Sequence, residues 1–559
     1  MGGRINMGYA EHGSVDGGSF YDAFISKKKT LPATIFAATN AGKVHVINAA
    51  QSDTALTVGG VRVRGGAEVA AFMPKNAMRA QIDLANPAFR FRYVLDGAVV
   101  EHDAYDDGAK TPAATTGGTW RSLVFGTGGR AGNFLYGLES PLNAADRVPT
   151  KDHFLWEVDS SAPSYKDLAN VTNSPTAGQL DNGRWVMLTP SGHYGGASKQ
   201  VGLYVVDAFS GQVVKFIPLP ASYNNDGTTM RNRGLGGVVA VRGMDRKIAA
   251  AYAGDANGNL WRFDLRSSKL AVSYDKPVFT TPGGASQPIY GAPAWQAHPG
   301  DGTGCKYSST SQCGAIVVVA TGILLDEDDL ATPATRQGIY GVWDPTAIGS
   351  DDKAGFGTVT NSQLVEQTID LASAKDGSGK DSTGRTFYQV SSNAVDWKTK
   401  KGWFLNLGVI SMTGTMLNGE RSISDLSNLG SSVQITTFLP EGKDMSIESC
   451  TATGSLPNIM YILDSLTGKN KRSFDINSDG RADLYSVAAI PDGGFTRGNV
   501  TSRNTRGLHN EGDVQLKPKQ DCTDETAYFT GVGGTIKGFD ACVSTGWRRA
   551  WRPVVNPPF

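Results

Sequence analysis

Three carboxylates, one amide and one glycine are crowded into the loop DINSDGRAD, which runs from Asp475 to Asp483. Side-chain oxygens stand at its first, third, fifth and ninth positions, and Gly480 stands at the sixth. Calcium loops of the EF-hand type place oxygen ligands at those positions, add the backbone carbonyl of the seventh residue, and use glycine at the sixth position for a sharp turn. The spacing therefore predicts a Ca²⁺ site.

The predicted ligand set contains four side chains and one carbonyl group. These are the side chains of Asp475, Asn477, Asp479 and Asp483 and the backbone carbonyl of Arg481. Position twelve is Ser486 instead of the glutamate that completes an EF-hand loop, so Asp483 must close the coordination shell. The flanking residues read as strands, which predicts a loop set in a hairpin. A metal-free polar turn is the alternative, but carboxylates this close repel one another without a cation.

Other patterns that carry chemistry are weaker. The phosphate-binding loop GxxxxGK[ST] and the nucleophile elbow GxSxG do not occur, and the histidines form neither HxH nor HExxH. His45 lies in the middle of a predicted strand, where a packed, hydrogen-bonded histidine is expected. The run from Asp326 to Asp329 lacks the alternation and glycine of a cation loop, so we expect a solvated loop. These observations favour a protein that is not an enzyme.

The five cysteines contain no CxxC pair, so their spacing does not indicate a zinc site. Cys305 and Cys313 enclose a short polar segment and are predicted to form a disulfide in an oxidising compartment. Two unrelated free thiols are the alternative. The pairing of the remaining three cysteines is left open.

Charge and hydropathy indicate neither nucleic-acid binding nor a membrane-spanning segment. Acidic and basic residues balance at 53 each in 559 residues, so no nucleic-acid-binding stripe is indicated. The longest apolar run, GAIVVVATGILL from Gly314 to Leu325, is too short to span a bilayer and is predicted to be a buried strand. The first residues lack the pattern of a secretion signal, and the sequence is expected to be a piece of a longer protein.

One pattern recurs along the chain: an apolar strand, a Gly/Asn turn, and a strand that ends in Asp or Asn. Its copies begin at Thr34, Trp120, Gly202, Ile248, Gly338, Asn458 and Ala527. Repeated small sheets bury both faces against their neighbours in a β-propeller. We therefore predict an all-β fold, a modified β-propeller of about seven blades with long loop insertions; two stacked β-sandwiches are the alternative.

The predicted domain organisation follows from this repeat. Residues 1–30 form a lead-in segment, residues 31–545 form the propeller, and residues 546–559 form a C-terminal tail. The repeat spacing exceeds that of a plain propeller blade, so insertions are required. The best candidates are the polar stretches near 346–401 and 408–431.

Several repeat copies resemble, in order, segments of the C-terminal domain of the PilC/PilY family of type IV pilus tip proteins. They are ATIFAATNAGKVHVINA, GLYVVDAFSGQ, AAAYAGDANGNLWRFDL and GIYGVWDP, together with RWVMLTPSGHYGG and GWRRAWRPV. The resemblance spans nearly the whole chain and implies a modified propeller that is exported to the pilus tip, the outer membrane and the cell surface. It implies contacts with minor pilins and a host-cell receptor, and roles in pilus assembly against retraction, twitching motility and adhesion.

Two departures from the family pattern stand out. The calcium loop of some members lies just before the YAGD strand, but the corresponding segment here, VVAVRGMDRK, lacks the acidic ladder. The adhesive tripeptide Arg-Gly-Asp does not occur either. The resemblance therefore supports calcium binding more strongly than it supports calcium control of pilus retraction.

Two other functions are compatible with the repeats. The segment GDANGNLWRFD also resembles the blade motif of quinoprotein dehydrogenases that use pyrroloquinoline quinone, but the vicinal cysteine pair of many such enzymes is absent. A generic outer-membrane scaffold protein is also compatible with the propeller, but this function gives the calcium loop no role.

Overall fold

The computed structural model describes most of the chain up to residue 490 and three short strands after it. The described ranges are 7–9, 19–49, 56–58, 61–84, 86–88, 92–107, 118–141, 149–243, 245–300, 313–325, 329, 336–350, 357–377, 379–381, 385–408, 419–438, 458–477, 482–490, 502–503, 526–530 and 536–540. All statements below concern these residues.

The chain divides into two compact units. The first contains residues 1–251, 263–275 and 510–513, and the second contains residues 252–262, 276–509 and 514–559. Each unit has its own apolar core among the described residues.

The first strands of the chain form three antiparallel sheets and one separate hairpin. In chain order they are β1 (Thr34–Thr39), β2 (Lys43–Asn48), β3 (Leu56–Val58), β4 (Val61–Val63), β5 (Glu68–Phe72), β6 (Val99–Asp106), β7 (Thr119–Thr127), β8 (Phe134–Ser140), β9 (Phe154–Asp159), β10 (Thr176–Gln179), β11 (Trp185–Pro190), β12 (Gly202–Asp207) and β13 (Val213–Pro218). The sheet orders are β1-β2-β5, β6-β7-β8-β9 and β10-β11-β12-β13, and β3 pairs with β4.

A fourth sheet follows with the order β14-β15-β16-β17, and β18 pairs with β16. Its strands are β14 (Leu235–Arg242), β15 (Ile248–Asp255), β16 (Asn259–Asp264), β17 (Ala271–Val272) and β18 (Phe279–Thr280). Its central strands β15 and β16 are almost entirely buried, and the buried residues of β16 include the polar Asn259 and the charged Arg262.

The remaining strands form three sheets with the orders β19-β20-β21-β25-β22, β23-β24-β29-β28-β27-β26 and β30-β31-β32. They are β19 (Ala294–Ala297), β20 (Ala315–Ala320), β21 (Gly338–Asp344), β22 (Val365–Gln367), β23 (Ile369–Asp370), β24 (Thr386–Val390), β25 (Gly402–Asn406), β26 (Ser427–Leu429), β27 (Ser432–Phe438), β28 (Asn458–Asp464), β29 (Val487–Ile490), β30 (Ser502–Arg503), β31 (Thr526–Thr530) and β32 (Ile536–Asp540). Only β22 with β25 is a parallel pair among the described strand pairs.

The predicted fold class is confirmed. The described part of the chain contains seven sheets of three or more strands, which agrees with about seven blades. The apolar run at Gly314 forms β20, all of whose residues are buried, as predicted. No helix in this part of the chain is long and apolar enough to cross a membrane.

Two helices lie outside the sequence prediction, α1 (Ser19–Thr30) and α2 (Lys75–Leu84). The stretches predicted as insertions also contain strands: β22, β23 and β24 lie within 346–401, and β26 lies within 408–431. β22 pairs with β25 and β24 pairs with β29, which are distant in the chain, so local sequence patterns do not reveal this pairing; β26 pairs with β27, which directly follows it. The predicted domain boundaries stay predictions.

The recurrent aspartate at strand ends stabilises the turn that follows it. Asp207 ends β12, and its Oδ1 accepts hydrogen bonds from the backbone N–H groups of Phe209 (3.2 Å) and Ser210 (3.0 Å). Asp464 ends β28, and its Oδ1 accepts from the N–H (2.8 Å) and the hydroxyl (2.7 Å) of Thr467. A short carboxylate that bonds the backbone two or three residues later favours a tight turn. The repeat therefore reflects turn formation.

A tryptophan of the preceding sheet packs on each of these two turns. Trp156 of β9 donates from Nε1 to the carbonyl of Ala208 at 3.0 Å, and Trp403 of β25 donates to the carbonyl of Ser465 at 3.2 Å. Both indoles are buried. Each indole thus connects one sheet to the next within its own unit.

Candidate calcium site

The predicted calcium loop lies in the connection between the antiparallel strands β28 and β29. Phe474 and Asp483 form an isolated antiparallel bridge, in which the Asp483 N–H donates to the Phe474 carbonyl at 2.7 Å. The loop is therefore closed at its base like a hairpin, as the flanking residues predicted. Residues 478–481, which include Asp479 and Arg481, lie outside the described residues.

Apolar side chains hold the base of the loop. Phe474 is fully buried and packs against Phe387, with ring centroids 5.3 Å apart. Tyr485 belongs to the same small core, and Ile476 packs against it. Because these anchors immediately flank the predicted ligands, the ends of the loop have a fixed position.

The described ligand candidates differ in exposure. Asp475 is buried, Asp483 is half-buried, and Asn477 is exposed. The bridge at the base brings the first and ninth loop positions near each other. Asp483 accepts a hydrogen bond through Oδ2 from the N–H of Ile476 at 2.9 Å, which orients its carboxylate toward the loop backbone.

Position twelve of the loop has a structural role. The Ser486 hydroxyl donates to the carbonyl of Lys471 at 2.9 Å and accepts from the N–H of the same residue at 2.5 Å. Ser486 is fully buried. Ser486 therefore stabilises the chain that flanks the loop. This role agrees with the prediction that Asp483, and not residue twelve, completes the calcium coordination shell.

No group of three or more His, Cys, Asp or Glu that could hold a metal occurs among the residues that the structure describes. Two of the five predicted calcium ligands lie outside those residues. The ligand set consequently stays a prediction.

The structure also describes three other residues that the sequence analysis named: His45, Asp329 and Cys313. His45 lies in β2, where its ring bonds to Thr39 Oγ1 at 3.0 Å and to Glu68, so it is hydrogen-bonded as expected. Asp329 accepts the N–H of Leu325 at 2.7 Å, and the rest of its acidic run lies outside the described residues. Cys313 is disulfide-bonded. Every other cysteine lies outside the described residues, so the pairing with Cys305 stays a prediction.

The segment YAGDANGNLWRFDL forms the β15–β16 turn. Asp255 is fully buried, and its Oδ1 accepts from the N–H groups of Asn257 and Asn259, both at 2.9 Å. Its Oδ2 accepts from Trp261 Nε1 at 2.8 Å. The preceding connection, from β14 to β15, is a short turn whose carboxylate, Asp245, accepts the N–H of Lys247 at 3.1 Å. The described residues of these two turns do not have the geometry of a calcium loop.

Sequence reasoning missed a buried carboxylate, Glu420. It accepts hydrogen bonds from the hydroxyls of Thr437 and Tyr461 and from the N–H of Gly408, each at 2.6 Å. Burial raises the pKa of the Glu420 carboxyl. These partners are dispersed in the chain, so no local spacing could have identified them.

A second missed cluster surrounds the buried Lys28 of α1. Its ammonium group contacts Glu101 and Asp103 of β6. The alternation of the two acidic residues in a strand was visible in the sequence, but their lysine partner was not.

Comparisons with known proteins agree with the fold. A sequence model described as the PilY1 beta-propeller domain matches residues 2–377. The chain is 26% identical over 574 residues to the type IV pilus biogenesis factor PilY1 of Pseudomonas aeruginosa strain PAO1, an alignment that covers 96% of this chain and 42% of the relative. It is 25% identical over 495 residues to a PilY1 homolog of Xylella fastidiosa strain Temecula1, covering 86% of this chain and 29% of the relative.

A solved structure has the same fold. The crystal structure of the Pseudomonas aeruginosa PilY1 C-terminal domain superposes with a TM-score of 0.66 at 22% identity, covering 93% of this chain and 95% of that one. The chain spans less than half the length of the curated relatives it matches.

Proposed function

The chain belongs to the PilY1 β-propeller domain family, and from this premise we propose that it acts as the propeller part of a type IV pilus biogenesis factor. The observation that carries the proposal is the family match over residues 2–377, supported by relatives that are themselves named type IV pilus biogenesis factors. In this role the domain is a non-enzymatic binding module. It supports pilus assembly against retraction, twitching motility and adhesion to host cells.

A propeller suits binding because it holds its loops at fixed positions. The turns at Asp207 and Asp464 are tied by side-chain hydrogen bonds, and Trp156 and Trp403 pack on them. Loops on a rigid scaffold bind partners without a large loss of entropy. We propose that minor pilins or the pilus tip are the main partners and that a host-cell receptor is a further one.

The proposed site of action is the cell surface: the pilus tip and the periphery of the outer membrane. The disulfide at Cys313 supports export, because disulfides persist in oxidising compartments. The relatives are named type IV pilus biogenesis factors, which supports export to the cell envelope.

We further propose that the loop from Asp475 to Asp483 binds Ca²⁺. The support is the EF-hand spacing, the bridge between Phe474 and Asp483, and the structural use of Ser486 at position twelve. Calcium held there would rigidify the connection between β28 and β29. In the chain this loop comes well after the YAGD strand, whereas the calcium loop of some family members comes just before it, so its effect on retraction is a separate question from its affinity.

The test is complementation of a host strain that lacks this segment. Restoration of surface pili and twitching by the wild-type chain is expected, and failure to restore them would contradict the pilus role. The variant Asp475→Ala/Asp479→Ala then tests calcium: we expect lower affinity and reduced twitching. Asp152→Ala, an exposed carboxylate in another part of the chain, is the control. If this variant loses calcium affinity but still has normal pili and normal twitching, the loop is a structural element only.

A further inference from the structure

Lys28, Asp103 and Glu101 form a triad between α1 and β6, in which Lys28 and Asp103 are buried and Glu101 is half-buried. Lys28 Nζ lies 2.5 Å from Asp103 Oδ1, 3.1 Å from Glu101 Oε1 and 3.3 Å from Ser122 Oγ. The Lys28 side chain is 1% exposed and that of Asp103 is 0% exposed. Lysine is almost never this buried without a partner, and here one ammonium faces two carboxylates.

The secondary structure determines this arrangement. Glu101 and Asp103 are two residues apart in β6, so their side chains leave the same face of the strand. Lys28 lies in the last turn of α1 and reaches the same face from the helix. All three residues belong to the first compact unit.

Aromatic side chains surround the triad. The Tyr21 hydroxyl donates to the second carboxylate oxygen of Asp103, Oδ2, at 3.0 Å. The Lys28 ammonium lies 5.3 Å from the ring centroid of Phe24, and Trp120 packs on Tyr21 with centroids 4.4 Å apart. These rings belong to the core of the unit. The Lys28 ammonium and the Asp103 carboxyl are therefore shielded from bulk water, which would otherwise compete in acyl chemistry.

The surroundings shift the pKa values of the two carboxyl groups in opposite directions. Burial raises the pKa of Asp103 to about 6. Burial also acts to raise the pKa of Glu101, but the Lys28 charge and the hydrogen bond from Ser122 outweigh it, and the net shift is downward. Two neighbouring carboxyls with divergent pKa values are the usual arrangement for a proton donor and a proton acceptor. Of the two carboxyls, Asp103 is the one that takes up a proton more readily, and Glu101 is the one that stays ionised.

We propose that Lys28 and Asp103 condense to an intramolecular amide bond, with Glu101 as the proton acceptor. Glu101 takes one proton from the Lys28 ammonium, and the free amine attacks Cγ of the protonated Asp103 carboxyl. The bond from Cγ to Oδ1 breaks, and Oδ1 leaves as water with the carboxyl proton and the second amine proton. The products are one amide, one water molecule and a protonated Glu101, so atoms and charge balance.

Tyr21 stabilises the tetrahedral intermediate of this step. Its hydroxyl bonds Oδ2, the oxygen that becomes the oxyanion and then the amide carbonyl oxygen. A hydrogen-bond donor already placed at the developing charge lowers the barrier without reorganisation. No oxidant, metal or cofactor is needed, so the bond forms in the folded chain alone.

The bond would connect α1 covalently to β6 across 75 residues. A cross-link that closes a long loop restricts the unfolded chain and stabilises the folded one. The bond would also keep α1 attached to β6 when the chain is under mechanical tension. This inference does not depend on the proposed role in pili.

The test is the intact mass of the purified chain after denaturation and reduction of its disulfides. We expect a mass lower than that of the unmodified sequence by one water molecule, and tandem mass spectrometry of a protease digest should give one branched peptide that joins Lys28 to Asp103. A wild-type chain of unmodified mass, with Lys28 and Asp103 in separate peptides, would overturn the proposal and leave a buried ion pair.

Three variants separate the roles. Lys28→Arg retains a cation that does not form this amide, and Glu101→Gln retains the shape but removes the proton acceptor, so both should show the unmodified mass. Lys29→Arg changes the exposed neighbour in α1 and should keep the loss of water. A Glu101→Gln chain that loses water as completely as the wild type would overturn the role of Glu101. Because the wild-type mass alone decides the bond, poor folding of a variant does not affect that result.

Discussion

The backbone N–H of Ile476 donates a hydrogen bond to the carboxylate of Asp483 at 2.9 Å, across a loop of polar residues. This contact positions the proposed ninth ligand with protein groups alone. The base of the loop is also fixed by the burial of Phe474. Calcium would therefore bind to a partly preformed loop, and less of its binding free energy would be spent on ordering the chain.

Replacement of Asp483 by Asn should separate calcium binding from loop closure. The amide keeps an oxygen that can accept from Ile476, but it removes one negative charge from the ligand set. We expect calcium affinity to fall by more than about tenfold, because affinity in such loops depends on ligand charge. Isothermal titration measures this change, and Asp152→Asn is the control. Unchanged affinity in Asp483→Asn, or no heat with the wild-type chain, would contradict the site.

The glycines beneath the two docked tryptophans should be intolerant of a side chain. A Cβ at Gly468 would lie 2.3 Å from Cε3 of Trp403, and one at Gly211 would lie 2.6 Å from Cδ2 of Trp156. We expect Gly468→Ala and Gly211→Ala to lower the free energy of unfolding by about 2–5 kcal/mol, from overpacking together with backbone strain.

The control for this prediction is Gly196→Ala. Gly196 has φ of +68°, close to the +67° of Gly468, but a Cβ there would meet nothing within 4 Å. It should therefore show only the cost of a left-handed alanine, about 1–2 kcal/mol. Equal destabilisation by all three variants in chemical denaturation would show that packing against tryptophan contributes little.

Loss of Arg262 should destabilise the second unit strongly. Its Nη1 donates to Asp344 Oδ2 at 3.0 Å, and Asp344 is fully buried and also accepts from the Tyr252 hydroxyl at 2.8 Å. Removing the guanidinium leaves a buried carboxylate without its charge partner, which costs about 3–5 kcal/mol.

Differential scanning calorimetry of Arg262→Ala measures this effect as a lower Tm. Arg266→Ala is the comparison, because Arg266 pairs with the partly exposed Asp264 of the same strand. A pair at the surface contributes about 0–1 kcal/mol. Similar decreases in Tm for the two variants would contradict the larger contribution that we expect from the buried ion pair.

Stability should fall on acidification through a buried histidine, His298. Its Nδ1 accepts the N–H of Gly300 at 3.0 Å, and its ring lies against Trp397 with centroids 4.4 Å apart. Burial lowers the pKa of His298 to about 4. The unfolded chain, with an ordinary histidine pKa near 6.5, takes up the proton first, so stability is present above about pH 6.5 and is lost as the pH falls toward 4.

The expected contribution of His298 is about 2 kcal/mol between pH 7 and pH 5. His298→Asn keeps an acceptor for Gly300 and removes the titration. The difference in unfolding free energy between wild type and variant should therefore shrink as the pH is lowered over this range. A difference that is independent of pH would contradict the assignment.

The sequence by itself determined the local features of this protein. The turns after Asp207 and Asp464, the buried strand at Gly314 and the spacing of the loop at Asp475 all follow from residues close together in the chain. A turn is stabilised by hydrogen bonds over two or three residues, and strand burial follows from a run of apolar side chains. These effects are short-range, so a single sequence is sufficient to predict them.

Only the tertiary structure decided which distant residues meet. Lys28 and Asp103 are 75 residues apart, and Trp403 reaches the carbonyl of Ser465 across 62 residues. The helix α1 carries Lys28 into the core because its aromatic residues pack there, which no local period predicted. The tertiary surroundings then move the pKa values of the two acidic residues apart, because burial raises that of Asp103 while the Lys28 charge and the Ser122 hydrogen bond lower that of Glu101.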